Sequence, residues 1–199
     1  MEFKQKYLKI WFDILTPKQL LFFEHMIKRI KKNHTVLCTS RDYQQVTQLA
    51  KIRGQKLVIV GKHGGAKRYD KLSSSLRRSG LLSTRIKRFS PDITVSFCSP
   101  EAARVSYGLG IQHICFSDSP HATAVMKLVI PLVQKLLIPW IILSADKKVI
   151  IPVDVVTTVV EPIASVKQMF IDKNALEKYS LTVLFNVNIF NMACDVKSL

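Results

Sequence analysis

The sequence is poor in cysteine, glycine and acid, and each shortage excludes something. Its four cysteines, Cys38, Cys98, Cys115 and Cys194, form no C-x-x-C pair. They offer neither zinc-ribbon spacing nor a disulfide framework, and three lie in or beside apolar runs, which fits buried thiols in a reducing cytosol. Seven glycines and eight prolines in 199 residues exclude a fibrous or low-complexity chain. No G-x-x-x-x-G-K-[ST] loop occurs, and no G-x-G-x-x-G follows the first expected strand, so the two commonest phosphate fingerprints are missing. The segment 1–15 has no small-residue cleavage site and mixes an acid and lysines with its apolar run, so no secretory signal is expected. Zinc-finger, RNA-recognition and helix-turn-helix patterns are absent too.

The scarcity of acid leaves 14 acidic residues against 30 basic ones, a net charge of +16. Such a field favours anionic partners: nucleic acid, anionic lipid or phosphorylated small molecules. Without a recognition motif, nucleic acid is disfavoured among them. Apolar residues form 48 % of the chain, enough for a sizeable core without staples. The length suits one α/β domain with an extension, or two small domains. The window 125–143, VMKLVIPLVQKLLIPWIIL, is long enough to span a bilayer. It contains Lys127, Gln134 and Lys135, with Pro131 and Pro139 inside, and reads as a buried helix over 125–137 followed by a strand, ahead of a membrane-surface element.

Strand and helix patterns alternate along the chain. Apolar runs at 8–14, 35–40, 56–61, 92–97 and 113–116 read as strands covered on both faces. Between them lie helical periodicities, the longest over 69–89 with Leu72, Leu76, Leu82, Ile86 and Phe89 on one face. WIIL, 140–143, reads as a further strand. The fold class expected is α/β, a Rossmann-like, doubly wound, mainly parallel sheet. After about residue 145 the pattern changes, and the apolar tail 181–199 has neither period nor turn signals.

Thr16-Pro17, Ser99-Pro100 and Ser119-Pro120 fall between a strand and the next helix, with Ser40-Arg41-Asp42 in the like place after the second strand. A hydroxyl at the N-cap and proline at the first helical position suit a helix start. All these junctions fall at the carboxyl ends of the strands, the edge where open α/β sheets bind ligands. Capping leaves Asp13, Glu101, Asp118 and His121 over. A carboxylate and an imidazole together suit acid/base work or sugar-hydroxyl binding; the plain alternative is surface acids that complement helix dipoles. The loop GKHGGAKR, 61–68, adds Lys62, His63, Gly64 and Gly65, with backbone freedom and positive charge for a phosphate, or simply a solvated connection.

The motifs KIWFDILTPKQLLFFEHMI, TSRDYQQVTQLA, VGKHGG, PDITVSFCSPEAARVSYGLGIQHICFSDSPHA and LVIPLVQKLLIPW, in that order, resemble domain-of-unknown-function family 354 over about 8–145. That family resembles the two-domain GT-B glycosyltransferases and UDP-N-acetylglucosamine 2-epimerases. The resemblance implies that 8–145 is the N-terminal, acceptor-side domain of a GT-B-like fold, that 146–180 is an extension or linker toward a second domain, and that no metal or cofactor is needed. It implies a nucleotide-sugar or sugar-phosphate ligand, which the junction and loop residues would meet at a cleft edge lined by Asp13, Lys62, His63, Gly64, Gly65, Ser99 and Ser119. Asp118, His121 and Glu101 are the catalytic candidates from the residues themselves, and the acidic role that epimerases place after the fifth strand is not carried over to Asp118, because the surrounding motif differs. Glycosyl transfer or epimerisation would require completion by a second domain, and the chain alone would turn over little. A cytoplasmic protein is implied, with peripheral contact at the inner face of the membrane. The alternative is a non-catalytic basic module for membrane surface or nucleic acid.

Overall fold

In the computed structural model, residues 7–119, 121–139 and 156–160 are described. The tail 181–199, the strand expected at 140–143, Pro120 and, apart from 156–160, the extension 146–180 lie outside the described residues. The strands are β1 (Lys9–Asp13), β2 (Thr35–Asp42), β3 (Val58–Lys62), β4 (Ile93–Phe97), β5 (Gln112–Phe116), β6 (Lys135–Pro139) and β7 (Val156–Val160). The helices are α1 (Pro17–Ile30), α2 (Gln44–Ile52), α3 (Arg68–Phe89), α4 (Pro100–Gly108) and α5 (Thr123–Val129). All strand pairs are parallel, in the order β3-β2-β1-β4-β5-β6-β7. The order reverses between β1 and β4, the crevice where doubly wound sheets bind ligands.

Alternation along β1 shows how the two faces are filled. Ile10 and Phe12 pack with Leu20, Phe23, Met26 and Ile27 of α1 and Val46 and Ala50 of α2. Trp11 points the other way, toward Leu82 and Ile86 of α3 and Ala102 and Val105 of α4. On that second face α5 and the turn after it cover Cys115, Leu136 and Ile138. Trp11 and Phe12 are wholly buried; a side chain of this kind contributes roughly 1.5–3 kcal/mol when fully covered.

Two of the four expected caps form. Thr16 accepts a bond from the Gln19 amide, and Ser99 from the Ala102 amide, each before a proline at the helix start. The other two do not. Strand β2 continues through Asp42, because Ser40 pairs with Ile59 and Asp42 with Lys62 of β3, and α2 starts after Tyr43 without a side-chain cap. Ser119 bonds to Asp118 instead, and α5 starts after Ala122, also uncapped. The helix expected over 125–137 stops at Val129. Pro131 fits a 3-10 turn, Ile130–Leu132, and Lys135 already belongs to β6. No helix among the described residues is long and apolar enough to cross a membrane.

Helix α3 also departs from its expected face. Leu82 and Ile86 are buried, but Leu72 and Leu76 are each 57 % exposed. The helix has 22 residues, roughly 33 Å, against about 17 Å for a five-residue strand. It meets the last residue of β1 at Arg78. Its N-terminal half therefore runs past the carboxyl edge of the sheet.

Candidate functional site

At the switch in strand order the carboxyl edge is closed by a buried polar cluster. Asp13 ends β1 and is fully buried. Arg78 of α3, 1 % exposed, grips it with two bonds: Nη2 to Oδ1 at 2.6 Å and Nη1 to Oδ2 at 3.1 Å. The same guanidinium donates from Nε to the Val60 carbonyl at 3.0 Å and lies 3.5 Å from Glu101 Oε2. Thr39 and Ser99 donate their hydroxyls to Asp13 at 2.7 and 2.6 Å, and Trp11 donates to Thr39 at 2.7 Å. Burial opposes the Asp13 charge, but the Arg78 charge and these hydrogen bonds outweigh it and hold the carboxyl below its ordinary pKa. Burial likewise opposes the Arg78 charge, and Asp13 and Glu101 outweigh it, raising that pKa.

Two glycines let this arrangement close. At Gly61 the backbone has φ +74°, and an added Cβ would stand 3.0 Å from Arg78 Cβ and Cγ. At Gly64 an added Cβ would lie 2.6 Å from the Lys71 Cα, so only glycine lets the loop press against the first turns of α3.

On the β2–β3 side of the cluster Arg41 is half-buried, and its Nε has no hydrogen-bond partner among the described residues. Burial lowers its pKa; Glu101 and Asp13 favour its charge, and Arg78 opposes it. His63 stacks on Tyr43 with centroids 5.3 Å apart, and its Nδ1 accepts the Gly65 amide at 3.1 Å. Burial, then the charges of Arg41 and Lys71, lower the His63 pKa. Lys62, His63 and Gly65 are exposed, and α3 starts after Lys67 with no side-chain cap on its first amides.

On the β5 side Asp118 is clamped by Lys18, whose Nζ lies 3.0 and 2.8 Å from the two carboxylate oxygens and 5.0 Å from the Phe97 ring centre. Ser119 donates to the same carboxylate at 2.8 Å. His121 is exposed.

The structure thus divides the expected site residues into three groups. Asp13, Ser99 and Glu101 share the buried cluster, where the Asp13 carboxylate is fully occupied by protein donors. Lys62, His63, Gly64 and Gly65 form the basic loop. Asp118 and Ser119 sit together at the end of β5, with Lys18 as the partner of Asp118. Sequence reasoning missed Arg78, Arg41, Thr39 and Lys18. Arg77-Arg78 reads as a solvated basic pair, yet Arg78 precedes Leu82 by four residues and Ile86 by eight, which places it on the buried face of the helix. That spacing was the available signal.

Strand order and switch-point geometry define a Rossmann-like domain, and its fold is like that of GT-B proteins. Solved structures agree. A UDP-N-acetylglucosamine 2-epimerase superposes with a TM-score of 0.54 at 13 % identity, over 67 % of this chain and 42 % of that one. A UDP-GlcNAc 2-epimerase from Neisseria meningitidis, solved with UDP-GlcNAc bound, gives 0.54 at 14 % identity over 72 % and 45 %. MurG of Acinetobacter baumannii gives 0.53 at 10 % identity over 80 % and 47 %. The chain belongs to the family described as Protein of unknown function (DUF354), whose model matches residues 8–194. The match runs well past residue 145, where the motif resemblance ends. An uncharacterized protein of Methanocaldococcus jannaschii, MJ0665, is 31 % identical over 133 residues, which is 66 % of this chain and 39 % of that protein. The chain therefore spans about two fifths of that relative's length.

Proposed function

We propose that the carboxyl edge of this sheet binds the phosphate-bearing part of a nucleotide-sugar or sugar phosphate, as the acceptor-side half of a GT-B-like protein. The observation that carries this reading is Arg41. It is a half-buried guanidinium whose Nε lacks an acceptor among the described residues, and its charge acts on His63 of the glycine loop, which leads into the uncapped start of a 22-residue helix. Such a cation is stabilised by an incoming anion, and free amides at a helix start point toward the same charge. Lys62 and Lys71 add attraction, and the Tyr43–His63 stack supplies a flat apolar surface beside it. In this reading Asp118, Ser119 and His121 face the sugar, the exposed imidazole and the nearby Asp118 carboxylate serving acid/base or hydroxyl-binding roles once a second domain closes the cleft, while Glu101 holds Arg78 in the cluster behind them. Fold likeness and the UDP-GlcNAc bound in the Neisseria meningitidis epimerase support the ligand class.

The test is a titration of isotope-labelled protein with UDP-N-acetylglucosamine and, separately, inorganic pyrophosphate, read at backbone amides. Shifts are expected at Arg41, Gly64 and Gly65 with both ligands, and at Asp118 and His121 with the sugar nucleotide. Arg41→Ala should weaken both at least tenfold. No shift at Gly64–Gly65 with millimolar ligand would overturn the reading.

A second reading, contact with an anionic membrane surface, is favoured by α3. Tyr69, Leu72 and Leu76 are 78, 57 and 57 % exposed at helical spacing, with Lys67, Arg68, Lys71 and Arg77 around them and one acid, Asp70. Apolar side chains ringed by cations suit a headgroup interface. The segment expected to supply this face, 125–137, is divided between α5, a 3-10 turn and β6 and does not form one. Co-sedimentation with phosphatidylglycerol vesicles, lost in Leu72→Ser/Leu76→Ser, is the expected result; equal binding to phosphatidylcholine vesicles, or none, would remove this reading.

A further inference from the structure

Cys98 and Cys115 form the closest pair of thiols among the described residues, their sulfurs 3.6 Å apart. The sheet explains the meeting. Ser96 pairs with Cys115 and Phe97 with Phe116, so Cys98 lies just beyond the paired length, two residues after the partner of Cys115. Residues two apart on a strand share a face. The chain then turns at Cys98 with φ +49°, a left-handed conformation uncommon for a side-chain-bearing residue. Cys115 is fully buried, whereas Cys98 is only partly so. Cys98 therefore keeps partial exposure at the end of β4, and the wholly covered Cys115 stands beside it.

We propose that Cys98 and Cys115 are a paired oxidation site, in which Cys98 reacts with a hydroperoxide and Cys115 resolves the product as an intramolecular disulfide.

The Cys98 thiolate attacks one peroxide oxygen, the O–O bond breaks, and the departing oxygen leaves as water or an alcohol after taking a proton. Cys98 is then a sulfenic acid. The Cys115 sulfur attacks the Cys98 sulfur, an S–S bond forms, and hydroxide leaves with the proton from the Cys115 thiol as water. Two thiols are oxidised and one hydroperoxide is reduced. The division of roles agrees with the surroundings. Hydrogen bonding from Cys115 lowers the Cys98 pKa, burial opposes it, Ser117 assists and the Asp118 charge opposes. The Cys115 pKa is raised well above its ordinary value, by its bond to Cys98 and by burial, so Cys115 holds its proton until it reacts. The remaining described thiol, Cys38, lies in the core on the opposite face, where burial pushes its pKa up to about 11. It provides an internal control.

The proposal is tested on the full chain, treated with limiting hydrogen peroxide, alkylated and mapped by mass spectrometry. The expected result is a Cys98–Cys115 linked peptide, two hydrogens lighter than its parts and reversed by dithiothreitol, with Cys38 still alkylated. In Cys115→Ser, Cys98 should be trapped as a sulfenic acid and labelled by dimedone. Three results would overturn it: both thiols alkylated as in untreated protein, Cys98 passing to sulfinic acid without the linked peptide in the unsubstituted chain, or a disulfide of either residue with Cys38 or Cys194 instead. The unsubstituted chain decides the pairing, so the conclusion does not depend on the variant folding.

Discussion

Arg78 carries a full charge into a place that water does not reach. It is tolerated because Asp13, Glu101 and the Val60 carbonyl take up its donors. Removing one partner of such a pair leaves the other charge buried and alone, which typically costs 3–5 kcal/mol. Arg78→Met is therefore expected to lower unfolding free energy by about 3–5 kcal/mol in denaturant titration. A loss under about 1 kcal/mol, the range of exposed pairs, would mean the cluster is solvated. His113 makes a separate prediction. It is wholly buried, with Ser96 on Nε2 at 2.8 Å and, among the described residues, no partner on Nδ1. Burial drives its pKa down from 6.5 to about 3, against a small opposing pull from Asp13. Above the ordinary value both states are neutral and stability is flat. Below it the unfolded chain takes a proton that the folded chain refuses, so stability falls by up to about 1.4 kcal/mol per pH unit. His113→Asn should remove that slope between about pH 6 and 4; an unchanged slope would show that His113 is not its source. Asp13 acts lower. Its depressed carboxyl contributes above the ordinary value of 3.8 and loses that contribution as pH falls toward the folded value.

The elements show where sequence is informative and where it is not. The strands and long helices were legible because β1, β4 and β5 are apolar runs and α1 and α3 carry helical periods. Thr16 and Ser99 were legible as caps because each precedes a proline at a helix start. Ser40 was not, because continued pairing of β2 with β3 depends on a neighbour far along the chain. Leu72 and Leu76 misled because they keep the helical period after the sheet beneath them has ended. The polar cluster was half legible: Asp13, Ser99 and Glu101 stood out, but the cation that unites them was hidden in a basic run. Glycines test the geometry. Gly61 has φ +74° and faces the Arg78 stem, whereas Gly80 lies within α3 with nothing in reach of an added Cβ. Gly80→Ala should raise stability by roughly 0.4–1 kcal/mol, and Gly61→Ala should lower it by more than about 1 kcal/mol. The opposite order in thermal melts would refute this account of both sites.

At the scale of the whole molecule, the sheet gathers distant parts of the chain onto one edge. Asp13 meets Thr39, Arg78 and Ser99, which lie 26, 65 and 86 residues away. Thr39 reaches it through the β1–β2 pairing, but Ser99 needs β4 beside β1, and Arg78 needs α3 docked. The chain covers about two fifths of the relative MJ0665.

That separation in sequence has a kinetic consequence. A half-built cluster is worse than none, because burying Asp13 before Arg78 arrives leaves a charge without a partner. The cluster should therefore assemble late, after the barrier to folding has been crossed. Arg78→Met is then expected to leave the refolding rate within a few-fold of the parent and to raise the unfolding rate roughly a hundredfold or more. Stopped-flow chevrons would read this directly, and a substitution that slowed refolding instead would place the Asp13–Arg78 contact in the nucleus. In this fold the residues that close the carboxyl edge would then act chiefly as a latch, setting how long the folded state lasts rather than how fast it forms.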